Sequence, residues 1–141
     1  MKRTASAMWT GNLKEGKGKI STQSGVLSQT QYGFNTRFED GPGTNPEELI
    51  AAAHAGCFTM ALSAQLTEAG MTVESIKTHA AVTLDKIDGG FAITAVHLDL
   101  TANIPGIDRS TFETIANQAK TGCPVSKVLN AEITLDAKLE S

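Results

Sequence analysis

The sequence predicts an α+β fold with mostly antiparallel strands, and three observations carry that prediction. Short strand-like segments punctuated by glycine fill the first 40 residues. A long apolar helix follows a clear start signal. After it come two β-rich runs joined by a glycine turn, two helical stretches and a last alternating segment. Strands, helix, strands, helices, strand is not the regular βαβ alternation of a parallel sheet.

Met8–Leu13, Lys19–Thr22 and Gln31–Glu39 are expected strands, separated by turns at Gly16, Gly18 and Gly25. In the third, Tyr32, Phe34, Thr36 and Phe38 alternate with Asn35, Arg37 and Glu39, as on a strand with one buried face. Asp40-Gly41-Pro42-Gly43 breaks that segment. Asn45 then suits an N-cap, Pro46 the first helical position and Glu48 the acid of a capping box. The helix should end near Gly70. It is apolar nearly all round, so it is expected to be covered on every side. Its small residues (Ala51, Ala52, Ala53, Ala55, Gly56, Ala61, Ala64) allow close approach of another backbone, such as the same helix of a second copy.

Ile76–Ile87 and Phe91–Ile104 form an expected hairpin about Asp88-Gly89-Gly90. Ser110-Thr111-Phe112-Glu113 reads as a second capping box, opening a helix with Phe112, Ile115, Ala116 and Ala119 on one stripe. Gly122 closes it, Cys123-Pro124 opens a short turn through Leu129, and Ile133, Leu135 and Leu139 alternate in a final strand.

The 141 residues make one expected domain spanning 1–141, large enough for a real core. With 40% hydrophobic and 19% charged residues the chain is not a disordered tail. A net charge of −3 with scattered Lys and Arg argues against nucleic acid or an anionic membrane as partner. Leu49–Thr67 carries no charge, but His54, Thr59, Ser63, Gln65, Thr67 and much alanine make it a poor lipid span. No apolar run follows Lys2-Arg3, so a cytoplasmic location is expected, where two cysteines stay reduced unless their chemistry oxidises them.

Cys57 lies mid-helix, one turn after His54, and Cys123 directly precedes Pro124 at the start of a helical turn. Amides at a helix start favour a thiolate, which gives Cys123 a route to a lowered pKa. Either cysteine also reads as a small buried hydrophobe. His54 and Cys57 at i, i+3 could share a zinc ion, but no close cysteine pair completes such a site. His79 and His97 fall on polar strand faces and read as solvated. Arg37 reads equally as a solvated charge, and Glu47 as an acid complementing a helix start.

Taken together, Phe34-Asn35-Thr36-Arg37-Phe38-Glu39, Gly43-Thr44-Asn45-Pro46-Glu47-Glu48-Leu49, Ala52-Ala53-His54-Ala55-Gly56-Cys57-Phe58 and Gly122-Cys123-Pro124-Val125-Ser126 change this picture. This run resembles the OsmC/Ohr family from Trp9 to the final strand. It is nearest the OsmC branch, because Arg37 lies just before the central helix. The resemblance implies an OsmC-like fold, an intertwined homodimer whose central helices are wrapped by sheets. It also implies a thiol peroxidase acting on organic hydroperoxides in oxidative or osmotic stress. Cys57 would be the peroxidatic cysteine and Cys123 the resolving one; Arg37 would activate the thiolate and orient the peroxide, and Glu47 would hold the guanidinium. The implied reductant is a dithiol such as a dihydrolipoyl group, with no metal, haem or flavin cofactor.

These residue types suit that chemistry. The thiolate is the nucleophile, and an apolar helix opposes it by desolvation, so a permanent cation is needed nearby. Arg37 stays charged, and its planar fork matches a carboxylate such as Glu47. Phe58 and Met60 are candidates for lining the substrate pocket. Glu47 and Cys57, ten residues apart on one helix, are separated by roughly 15 Å along its axis. Glu47, with or without Arg37, is therefore expected to serve the partner subunit's site. The rival reading is a non-catalytic dimeric stress or ligand-binding protein whose thiols only pack.

Overall fold

The computed structural model describes residues 1–140, which fall into two compact units, one of Met1–Leu49 and one that begins at Ile50. The first contains β1 (Ala5–Thr10), β2 (Lys17–Thr22), β3 (Thr30–Tyr32) and the short helix α1 (Phe34–Phe38). Its three strands form an antiparallel sheet in the order β1-β2-β3, with Ala5 opposite Thr22 and Gly18 opposite Tyr32. β1 begins three residues before the expected Met8.

The expected strand Gln31–Glu39 is not formed. Only Thr30–Tyr32 is extended, and Phe34–Phe38 is helical. Thr36 is the local cause: its Oγ1 accepts the Gly33 N–H at 2.8 Å and donates to the Gly33 carbonyl at 2.9 Å, closing a turn. Phe34 and Phe38 then stand at i, i+4 with ring centroids 5.0 Å apart, so aromatics that read as strand alternation fit a helical turn equally well. Gly43 has φ of +117°, and a Cβ there would run into the Gln31 carbonyl oxygen. That close approach lets the Thr44 N–H bond the same oxygen at 2.9 Å.

α2 runs unbroken from Pro46 to Glu68. Asn45 caps it as expected, accepting the Glu48 N–H at 2.8 Å. The other half of the expected capping box is replaced, because the Glu48 carboxylate accepts instead from Thr44 Oγ1 at 2.8 Å. Asn45 Nδ2 donates to the Thr36 carbonyl at 2.9 Å, tying α1 to the start of α2. At the far end Gly70 takes φ of +80°, Met71 N–H bonds Leu66 C=O and Gly70 N–H bonds Thr67 C=O. That pair of bonds is a Schellman stop.

The second unit holds the body of α2, β4 (Ser75–Ile87), β5 (Gly90–Asn103), α3 (Arg109–Gly122), α4 (Pro124–Val128) and β6 (Glu132–Glu140). β4 and β5 form the expected hairpin, with a bulge at Thr83/Leu84, and β6 lies parallel to β5. A parallel neighbour needs a crossover, which α3 and α4 supply. α3 is capped by Asp108, not by the expected Ser110. The Asp108 carboxylate accepts from Thr111 N–H at 3.1 Å and Thr111 Oγ1 at 2.6 Å, and these bonds hold its pKa below the ordinary carboxylate value.

Phe58, Leu62 and Leu66 of α2, Val96, Leu98, Leu100 and Ala102 of β5, and Phe112, Ala116 and Ala119 of α3 make the buried core. α2 is not covered on every side within one chain. Ala53, Gly56, Met60 and Ala64 form an exposed apolar face, with Met60 75% exposed. On length and composition alone the helix qualifies as a membrane span, a reading that its polar side chains weigh against.

Replacing Asn45 removes both its cap bond and its tie to Thr36. Asn45→Ala should lower unfolding stability by about 1 kcal/mol, read as a reduced midpoint in urea denaturation with unchanged slope. An unchanged midpoint would mean that the cap carries no net stability.

Candidate active site

Arg37 stands in the last turn of α1 and Glu47 in the first turn of α2, both in the first unit. Arg37 Nε and Nη2 donate to Glu47 Oε1 and Oε2, each at 3.0 Å, as a bidentate fork. The Glu47 side chain is only 12% exposed and that of Arg37 39%, so the carboxylate fixes the cation while solvent still reaches it. The guanidinium carbon also lies 5.5 Å from the Phe38 ring centroid. Beside it opens a cavity of about 190 Å³, lined by Trp9, Tyr32, Phe34, Phe38 and Pro46 with Arg37. Trp9 and Tyr32 meet edge to face at 5.6 Å, and Trp9 Nε1 donates to the Gly11 carbonyl at 2.9 Å. The wall is largely aromatic and the charged group on it is Arg37.

In the second unit Cys57 Sγ and Cys123 Sγ lie 2.8 Å apart as free thiols. A disulfide is about 2.05 Å long, so closing the bond needs only a sub-ångström approach of the two sulfurs. Cys123 is fully buried at the α3–α4 junction, and its own N–H bonds the Ala119 carbonyl at 3.0 Å. Cys57 is half-buried on α2 beside the core. Burial pushes the Cys57 thiol above its ordinary pKa, and the adjacent Cys123 adds to this, first through the hydrogen bond between the two thiols and then through like-charge repulsion. One contact opposes them, the hydrogen bond from the Val125 N–H to the Cys57 sulfur. This amide, one of those opening α4, acts on Cys57, a contact that the sequence did not indicate.

Sequence reasoning missed a further contact beside the sulfurs. His54 is fully buried and its Nε2 lies 2.7 Å from Ser126 Oγ, while its Nδ1 has no partner among the described residues. Burial lowers its pKa, so the ring is neutral in the ordinary physiological range. The available signal was the i, i+3 spacing of His54 and Cys57 combined with Pro124, which makes Val125 and Ser126 the next residues of a helix start. Two other expectations need correction. Phe58 has no exposed surface and is core, so it cannot line a substrate pocket. His97 is not simply solvated: its Nδ1 lies 2.6 Å from Thr134 Oγ1 and its Nε2 is within hydrogen-bond range of Asp99 and Asp136. His97, Asp99 and Asp136 are the group among the described residues whose donor atoms converge as metal ligands would, on an open sheet face with both carboxylates already within hydrogen-bond range of His97. The four residues singled out by sequence are thus brought together as two pairs, Arg37 with Glu47 and Cys57 with Cys123.

Burial of neutral His54 carries a stability signature with a definite sign. An unfolded histidine binds its proton near pH 6.5, whereas the folded one does so only at lower pH. The unfolded state therefore binds more protons as pH falls through about 6.5, and stability should decline there. Melting temperature followed from about pH 7.5 down to 5 should fall less steeply in His54→Phe than in the parent. Parallel curves would show that His54 is not held neutral.

Comparison with known proteins bears directly on this arrangement. The family described as OsmC-like protein matches residues 39–138. Peroxiredoxin OsmC of Escherichia coli (strain K12) is 63% identical over 135 residues, covering 96% of this chain and 94% of that protein. Organic hydroperoxide resistance protein OhrB of Bacillus subtilis (strain 168) is 35% identical over 124 residues, covering 87% and 88%. The crystal structure of OhrB from Bacillus subtilis superposes with a TM-score of 0.71 at 31% identity, covering 96% of this chain and 98% of that one. On the matched residues, the high identity over nearly its whole length and the shared α+β fold, this chain belongs to the OsmC family.

Proposed function

We propose that this chain reduces organic hydroperoxides to alcohols through a Cys57 sulfenic acid and a Cys57–Cys123 disulfide. A thiol peroxidase role accords with a relative named peroxiredoxin and another named for organic hydroperoxide resistance. The observation that carries the residue assignment is the 2.8 Å approach of the two free sulfurs.

The Cys57 thiolate attacks the distal peroxide oxygen and the O–O bond breaks. The departing alkoxide takes a proton and leaves as the alcohol, with Cys57 oxidised to the sulfenic acid. The Cys123 thiol then condenses with it, forming the S–S bond and releasing water, which protects Cys57 from over-oxidation. A dithiol, in our reading a dihydrolipoyl group, reduces the disulfide by exchange and restores both thiols. This cycle uses no metal, haem or flavin.

Burial works against the Cys57 thiolate, and Arg37 supplies the cation that reverses it. Its bidentate bond to Glu47 fixes that charge before substrate arrives. The aromatic cavity beside Arg37 suits the carbon tail of an organic peroxide better than the water-like hydrogen peroxide. Glu47 and Cys57 are ten residues apart on unbroken α2, about 15 Å of axial rise, and Arg37 is bonded to Glu47. We therefore assign the Arg37–Glu47 pair of one protomer to Cys57 of its partner in a homodimer. The exposed apolar face of α2, with Ala53, Gly56, Met60 and Ala64, supports a second copy packing there. The reading treats 1–141 as one functional domain acting in the cytoplasm.

Hydroperoxide consumption with dihydrolipoamide, comparing cumene hydroperoxide with hydrogen peroxide, tests the chemistry. Cys57→Ser should abolish turnover, and Arg37→Ala should lower kcat/KM roughly a hundredfold. Equal inactivity of the parent, Cys57→Ser and Cys123→Ser would return the chain to the binding-protein reading. Mixed dimers of a Glu47→Ala chain with a Cys57→Ser chain test the assignment across subunits. One working site of two is expected, and two dead sites would place Glu47 with its own chain's cysteine.

A further inference from the structure

The imidazole of His54 is an odd way to fill core space. It sits with no exposed surface on the same stripe of α2 as Phe58, Leu62 and Leu66, yet one of its nitrogens has no partner. An apolar ring would fill that volume without burying an unsatisfied polar atom. The other nitrogen makes one short bond, Nε2 to Ser126 Oγ at 2.7 Å, across 72 residues of sequence. Ser126 directly follows Val125, whose N–H is bonded to the Cys57 sulfur, and Cys57 lies one turn beyond His54 on α2. α2 and α4 are thus joined by two adjacent polar contacts, one at the nucleophile and one at the neighbouring residue.

Neither nitrogen of His54 bonds a sulfur, since Nε2 is committed to Ser126 and Nδ1 is unpartnered among the described residues. A direct acid–base role for the ring is therefore not what the geometry offers. α4 has only five residues, and its Cys123 end is set by the preceding helix α3. So short a helix has little to hold its orientation beyond its contacts.

We propose that His54 and Ser126 are positioning residues for the Cys57 nucleophile: their hydrogen bond pins α4 to α2 and so keeps the Val125 N–H directed at the Cys57 sulfur. The inference deepens the peroxidase reading by assigning two residues to preparation of its thiolate. A hydrogen bond donated to sulfur favours the charged form. A loosened α4 would give up that bond while leaving Cys57 and the core in place. The titratable group acting on Cys57 itself is Cys123, which the test must remove.

The test uses the full-length chain with Cys123→Ser, in which Cys57 is the remaining thiol. The rate of alkylation by iodoacetamide is followed against pH, which reports the thiolate fraction without any peroxide. Ser126→Ala in this background should move the midpoint up by about half a pH unit or more, a roughly threefold loss of thiolate below the midpoint. Ser126→Thr, which keeps the hydroxyl, should restore the parent profile. His54→Phe should give the same rise as Ser126→Ala, and the double variant no further rise, because both break one bond. A Ser126→Ala profile that superposes on the parent would overturn the proposal, as would a Ser126→Thr profile matching that of Ser126→Ala. A parent chain that consumes no hydroperoxide, while its Cys123→Ser background shows the shift, would overturn the peroxidase reading and leave this one standing. One that consumes hydroperoxide but shows no shift would do the reverse.

Discussion

The rotational setting of α2 is the constraint on which the chemistry of the second unit depends. His54, Phe58, Leu62 and Leu66 recur at every fourth position, and each has no exposed surface. A row of i, i+4 residues drifts only slowly around a helix of 3.6 residues per turn, so the stripe stays in the core over its whole length. Cys57 precedes Phe58 by one residue, which puts its sulfur at the margin of the stripe rather than under it. The α3–α4 junction delivers Cys123 to that margin, because the buried side chains Phe112, Ala116 and Ala119 seat α3 in the same core. Packing that excludes water thus also sets the distance between two thiols.

Packing and chemistry conflict at this point. The apolar surroundings that place Cys57 also disfavour its charged form, and a second thiol at 2.8 Å makes that worse. Local polar groups offset part of the cost, through an amide hydrogen bond from Val125. The first unit holds a cation of complementary design in Arg37, braced through both carboxylate oxygens of Glu47. In the proposed dimer that cation completes the nucleophile's environment from across the interface, and the exposed small residues of α2 find the cover that their composition calls for.

Where sequence reasoning and structure diverge, local chemistry has overruled pattern. Phe34-Asn35-Thr36-Arg37-Phe38 alternates like a strand but is wound into α1 by two hydrogen bonds of the Thr36 side chain with Gly33. The difference matters, because helical geometry is what places Arg37 opposite Glu47. Ser110 fits a capping pattern, yet Asp108, two residues earlier, makes the cap. Both cases are choices between two satisfactory local arrangements, and contacts beyond the pattern settle them.

The sequence alone determined the α+β class, the capped start and glycine stop of α2 and the β4–β5 hairpin, and it singled out the four residues to which the proposed chemistry is assigned. Those features follow from residue type and near-neighbour spacing, which act through turns, caps and periodicity. Tertiary structure alone decided that Cys57 and Cys123, 66 positions apart, stand within 2.8 Å. It likewise decided that the Val125 amide of α4 acts on Cys57, that His54 bonds Ser126, and that Phe58 belongs to core rather than to a pocket. α2 is apolar around most of its circumference, so its composition cannot say which side faces the sheet. Only packing against β5 and α3 chooses the side, and that choice turns two ordinary thiols into a pair.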